Sequence, residues 1–187
     1  MERVVYHGSP QGDLPVLKAR KGTHQKECIY ATDSEAVALL FMGKGRGDLD
    51  VMIATIDGML SLVERRPGIL KQLYDKSGFL YELDGRTFEH YDYLWSREVI
   101  SFESELAPLR CIPIPNILEA IQEQEQNGAL KVYRHPDRPS QMPLDNSDLI
   151  DEYISMERKG CTGVVDDLLE VYPEFSDIVR EKMKGEW

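Results

Sequence analysis

Positive charge is scarce in this sequence. Its 22 lysines and arginines stand against 33 aspartates and glutamates, for a net charge of −11. A general nucleic-acid binder or a protein of anionic membrane surfaces would carry a basic patch instead. The one local basic cluster is Lys18-Ala19-Arg20-Lys21, with Lys26 after it, and it reads as a solvated loop. Cysteine is scarce too. Cys28, Cys111 and Cys161 are too widely spaced for a disulfide framework or a zinc motif, and free thiols point to a reducing compartment. His24, His90 and His135 lie in polar loops without metal-ligand spacing, so no metal is expected. No apolar run approaches the roughly 18 residues of a membrane span. The start, Met1-Glu2-Arg3, leads straight into a strand with no secretion signal. Repeats and low-complexity segments are missing as well. These absences together predict a cytoplasmic protein with no membrane partner.

What is present suits a packed core: 42% of the 187 residues are hydrophobic. Val4-Val5-Tyr6 reads as a first strand and 28–32 as a second, being rich in β-branched and aromatic residues. Asp33 or Ser34 then caps a helix over Glu35–Met42, with Glu35 in its first turn. Further strands are expected at 51–56, 78–83, 98–101 and 130–133. The span from Leu60 to Tyr74 is mixed, with a helix from Gly68. Ile112-Pro113-Ile114-Pro115 marks a break, and Asn116 caps a helix to about Gln126. Three more helices follow, at 149–159 after Asp145 and then at about 163–171 and 174–184. In the last third, Leu149, Ile150, Tyr153, Ile154, Leu168, Leu169 and Val171 are the expected packing positions. The composition thus divides the chain into an α+β domain, 1–112, and a mainly helical extension, 113–187.

The chemistry-bearing residues cluster early. His7-Gly8-Ser9 ends the first strand, and Ile29-Tyr30-Ala31-Thr32 forms the second. Phe41 stands eleven positions after Tyr30. A lone His-Gly pair or a strand tyrosine is most simply a core feature; the order and spacing of the two together raise the functional reading. In that order these residues resemble the nicotinamide-binding half of the ADP-ribosyltransferase superfamily, in its His-Tyr-Glu branch of poly(ADP-ribose) polymerases and diphtheria-type toxins. The resemblance implies a split antiparallel β-core with helices. It also implies NAD as substrate, no metal, and ADP-ribose transfer to an unknown protein or nucleic-acid acceptor. It assigns NAD binding to His7, Gly8, Ser9, Tyr30 and Phe41, and catalysis to His7, Tyr30 and a glutamate near a late strand. Glu98 matches that glutamate best, with Glu103 and Glu105 as fallbacks. Two positions depart from the family pattern: Ala38 where the polymerase branch has serine, and Cys28 where glycine is usual.

The chemistry is coherent on its own terms. Nicotinamide is a flat cationic ring, and an aromatic face attracts a cation by about 0.5–2 kcal/mol. Gly8, without a side chain, would let its backbone meet the nicotinamide amide. His7 would donate to a ribose hydroxyl. A carboxylate at Glu98 would stabilise the oxocarbenium character that develops as the glycosidic bond breaks. The rival readings are a catalytically inactive binding module of the same fold, an RNA 2′-phosphotransferase-like enzyme, and an interaction protein whose motif match is accidental. Trp95 reads as a core or pocket-wall aromatic.

Overall fold

The computed structural model describes residues 3–21, 26–43 and 45–184; His24 lies outside them. In chain order the strands are β1 (Val4–Ser9), β2 (Leu17–Lys18), β3 (Arg20–Lys21), β4 (Glu27–Ala31), β5 (Val51–Ile56), β6 (Met59–Glu64), β7 (Gly78–Asp84), β8 (Val99–Ser101), β9 (Glu105–Leu106), β10 (Arg110–Ile114) and β11 (Lys131–Tyr133). The helices are α1 (Glu35–Leu40), α2 (Ile69–Tyr74), α3 (Ile117–Gln126), α4 (Asp148–Arg158), α5 (Val164–Val171) and α6 (Ser176–Lys184). The class is α+β. Among the described residues no helix is long and apolar enough to cross a membrane.

The chain forms two compact units that alternate along the sequence, 1–44 with 70–130 and 45–69 with 131–187. This differs from the division expected at 112/113, for two reasons. Strand β10 runs through that point and pairs antiparallel with β7, Ile112 opposite Leu80. Pro113 is accommodated there because β10 is the outer strand of its sheet, where a missing N–H costs no ladder bond. Strand β11 pairs in parallel with β6, Val132 opposite Leu62, which ties the end of the chain to residues 51–64.

The first unit holds two three-stranded sheets, β1-β7-β10 and β3-β4-β8, with all strand pairs antiparallel. One antiparallel bridge joins them: Tyr6 and Thr32 exchange both backbone hydrogen bonds, at 2.7 and 3.0 Å. Val5, Ile29, Ala31, Tyr81, Leu83 and Val99 fill the core. Helix α1 is capped by Ser34, whose hydroxyl accepts the Val37 N–H. Five of its six residues, Ala36 to Leu40, are buried. It lies close on β1, and Gly8 makes that possible. A Cβ on Gly8 would overlap the Ala38 carbonyl oxygen and lie 2.8 Å from Met42 Cγ. Gly8→Ala is therefore expected to destabilise the unit by about 1–3 kcal/mol, read as a lower urea midpoint; an unchanged midpoint would show that α1 gives way freely.

In the second unit β6 lies between β5 and β11. Its residues Leu60 to Glu64 are all buried, so it shows no alternation. The helices bury Leu149, Ile150, Tyr153, Ile154 and Leu168 with Phe175, while Leu169 and Val171 pack partly buried beside them. Apart from Phe175, these are the positions the sequence indicated. Helix α4 begins at Asp148, one residue before the expected start, and Ser147 rather than Asp145 takes its N-cap position. Asp145 instead accepts the Ser147 N–H in the preceding turn, where Asn146 adopts a positive φ of 60°.

Candidate functional site

The site grows out of the split between the two sheets. Strand β1 bridges the chain just past β4 at Tyr6 and Thr32; otherwise β1 pairs with β7 and β4 with β8. The side chain of His7 stands at the parting. Its Nδ1 lies 2.8 Å from the Tyr30 carbonyl oxygen, replacing the partner that a continuous ladder would supply. The two motifs separated by more than twenty residues thus meet through a hydrogen bond.

A cleft of about 580 Å³ opens at the split, lined by His7, Gly8, Ser9, Lys18, Arg20, Cys28 and Tyr30 and walled by Pro10, Gln11 and residues 14–17. Among the described residues no aspartate or glutamate lines it. Lys18 and Arg20, expected as members of a solvated loop, border the cleft from β2 and β3. An acidic chain thus presents a cationic recess here. Gly8 contributes its main chain. Both polar groups of Tyr6 point to the β4 side, where they bond Thr32. Two residues on, the N–H and C=O of Gly8 face that same side, where β4 has turned away. Ser9 is buried, and its Oγ accepts the Gln11 N–H at 3.1 Å, fixing the turn that leaves the strand.

The carbonyl of Tyr30 can only accept, so Nδ1 of His7 carries the ring proton. Burial lowers the His7 pKa below 6.5; the Tyr30 carbonyl raises it in part, and the charge of Arg20 lowers it again. The ring is therefore neutral at pH 7, and Nε2 is an acceptor. A hydroxyl in the cleft would donate to His7, the reverse of the direction expected from the sequence. Stability follows the same shift. Below pH 6.5 the unfolded chain takes up a proton before the folded chain does, so this contribution is complete above 6.5 and falls as pH drops toward the lower folded value. Urea midpoints are expected to fall between pH 7.5 and 5.5, and to fall less in His7→Gln. An identical fall in the two proteins would show that His7 is not the titrating group.

The other expected residues, Phe41, Glu98, Glu103 and Glu105, are not in the lining of the cleft. Phe41 is 45% exposed and sits edge-on to Trp95, ring centres 6.1 Å apart. Glu98 immediately precedes β8 and is half-buried, and its Oε2 accepts the Trp95 N–H at 3.3 Å. Trp95 thus connects Phe41 and Glu98. Tyr30 packs against the cluster of Cys28, Leu94 and Ile100, one residue from Trp95 in the chain. Glu103 and Glu105 are exposed, and Glu105 pairs across strands with Lys18. Ala38 is buried under β1 at Gly8. Sequence reasoning missed Lys18 and Arg20 as lining residues; alternate basic positions within 18–21 were the available signal. Among the described residues no group of three or more His, Cys, Asp or Glu is arranged to hold a metal ion. Compared with protein-family models, curated proteins and solved structures, the chain matches none.

Proposed function

We propose that the chain binds NAD in the His7–Tyr30 cleft and transfers its ADP-ribose, as an ADP-ribosyltransferase-like enzyme. The observation that supports this reading is the parting of β1 and β4, where Gly8 and the neutral His7 line one recess. A carboxamide needs one acceptor and one donor in line, and the Gly8 N–H and C=O supply that pair. The Nε2 of His7 accepts from a ribose hydroxyl. Lys18 and Arg20 suit the diphosphate, and the Tyr30 ring suits the nicotinamide face. Of the three candidate carboxylates, Glu98 is the half-buried one, and it is the group assigned to the cationic transition state.

The second reading is a binding module without turnover. It is favoured by the position of Glu98, which is engaged by Trp95 and does not line the cleft. Calorimetric titration with NAD tests both. Binding is expected, weakened roughly tenfold by Tyr30→Ala through loss of a ring face. No heat at millimolar NAD, where a site worth about 4 kcal/mol is half filled, would remove NAD from consideration. Binding without nicotinamide release would leave the module.

A further inference from the structure

The first unit carries a second feature that the cleft does not use. Tyr91 stacks on Tyr93, ring centres 5.6 Å apart, and meets Phe102 edge-on at 5.7 Å. Two of the rings face solvent, Tyr93 at 40% and Phe102 at 53% exposure, while Tyr91 is half-buried. Such a group of rings would ordinarily be buried, and here it is not. Its surroundings select what it can hold. Glu89 accepts the Tyr91 hydroxyl at 3.0 Å, Asp92 lies between the two tyrosines, and Glu103 follows Phe102; all three acids are exposed. One ring face already holds a cation, with Lys26 Nζ 4.1 Å from the centre of Tyr93.

We infer that this patch docks a cationic segment of a polypeptide, seating arginine or lysine side chains on the rings of Tyr91, Tyr93 and Phe102 among the three carboxylates. Ring faces attract cations, and neighbouring carboxylates add to the attraction. Nucleic-acid bases also stack on aromatic rings, but their phosphates would meet Glu89, Asp92 and Glu103 in a chain of charge −11. Lys26 is the chain's own occupant and competes with an incoming cation. The patch adjoins the cleft through shared packing: Tyr91 and Tyr30 both lie against the cluster of Cys28, Leu94 and Ile100. As the docking site of an acceptor it rests on the transferase reading; as a cation-binding surface it does not.

The test is fluorescence anisotropy of a labelled, amidated hexapeptide with two adjacent arginines and four glycines, titrated with the full chain at low salt. Saturable binding is expected. The exposed double variant Tyr93→Ala with Phe102→Ala leaves the net charge unchanged and is expected to weaken binding roughly tenfold. Lys26→Ala removes the competing cation and is expected to tighten it severalfold. A double variant that binds as well as the unmutated chain would overturn the proposal, since the acidic surface at large would then be the site. Weaker or unchanged binding by Lys26→Ala would overturn the role given to Lys26 and its ring. A labelled oligo-dT that binds where the peptide does not would assign the patch to nucleic acid. Peptide binding that survives in a chain that takes up no NAD would remove the transferase reading alone.

Discussion

Glu98→Gln is expected to bind NAD as the unmutated chain does and to release nicotinamide roughly a hundredfold more slowly or worse. The amide nearly reproduces the carboxylate in shape. It still offers an oxygen to the Trp95 N–H that Glu98 Oε2 now engages at 3.3 Å. What it lacks is the negative charge. Ground-state binding needs that charge little, whereas an oxocarbenium-like transition state needs it most, so the loss falls on turnover. Glu103→Gln and Glu105→Gln provide the contrast. Both residues are exposed, and Glu105 is opposed by Lys18, so each is expected to leave release unchanged. Equal rates for Glu98→Gln and the unmutated chain, measured by chromatographic quantitation of nicotinamide, would remove Glu98 from the chemistry.

Asp148→Ala is expected to destabilise the second unit by about 3–5 kcal/mol. The reason is Arg65, whose side chain is 2% exposed. Asp148 receives its two terminal nitrogens at 3.1 and 2.9 Å, and Asn146 Oδ1 lies 3.3 Å from Nη1. Removing the carboxylate strands a buried guanidinium with one side-chain amide as partner. Arg138 sits in the same cluster, donating to the Arg65 carbonyl at 2.7 Å, and its own charge offers Arg65 no relief. The double replacement Arg65→Met with Asp148→Leu removes both charges and is expected to cost far less than the single change. Urea unfolding checks this. A single variant within about 1 kcal/mol of the unmutated chain would place the Arg65 charge in contact with water.

The legible parts of this fold are those in which local chemistry and tertiary packing agree. Asn116 was expected to cap a helix to Gln126, and its Oδ1 accepts the Glu119 N–H at the head of that helix. The β-branched content of Val51–Ile56 marked β5 to the residue. His7 and Tyr30 were legible because each ends or fills a short apolar strand, and strand ends are where a split sheet exposes its backbone. Other parts depend on what surrounds them. Strand β6 is buried along its length between two neighbours, so Met59–Glu64 shows no period of two. Pro113 looks like a break in sequence and is an outer strand in space. Strands β2 and β3 are two residues each, too short for a hydrophobic pattern, and they carry Lys18 and Arg20 to the cleft. In sequence, Gly8 offers room for a ligand. It is also room for α1, on the opposite concern of packing against Ala38. The buried Arg65 left no trace, because its partner lies 83 positions away.

The claim that NAD occupies the split between β1 and β4 is tested most directly at His7 itself. The measurement is a titration of the assigned His7 ring resonances with NAD at pH 7 by heteronuclear NMR. The ring is neutral there, with its proton on Nδ1, and His7 lines the cleft. Saturable shifts at His7 Nε2 are expected, with the ring of His135, exposed in the second unit, unmoved. His7 resonances that stay in place at millimolar NAD would contradict the claim, whatever NAD does elsewhere on the chain.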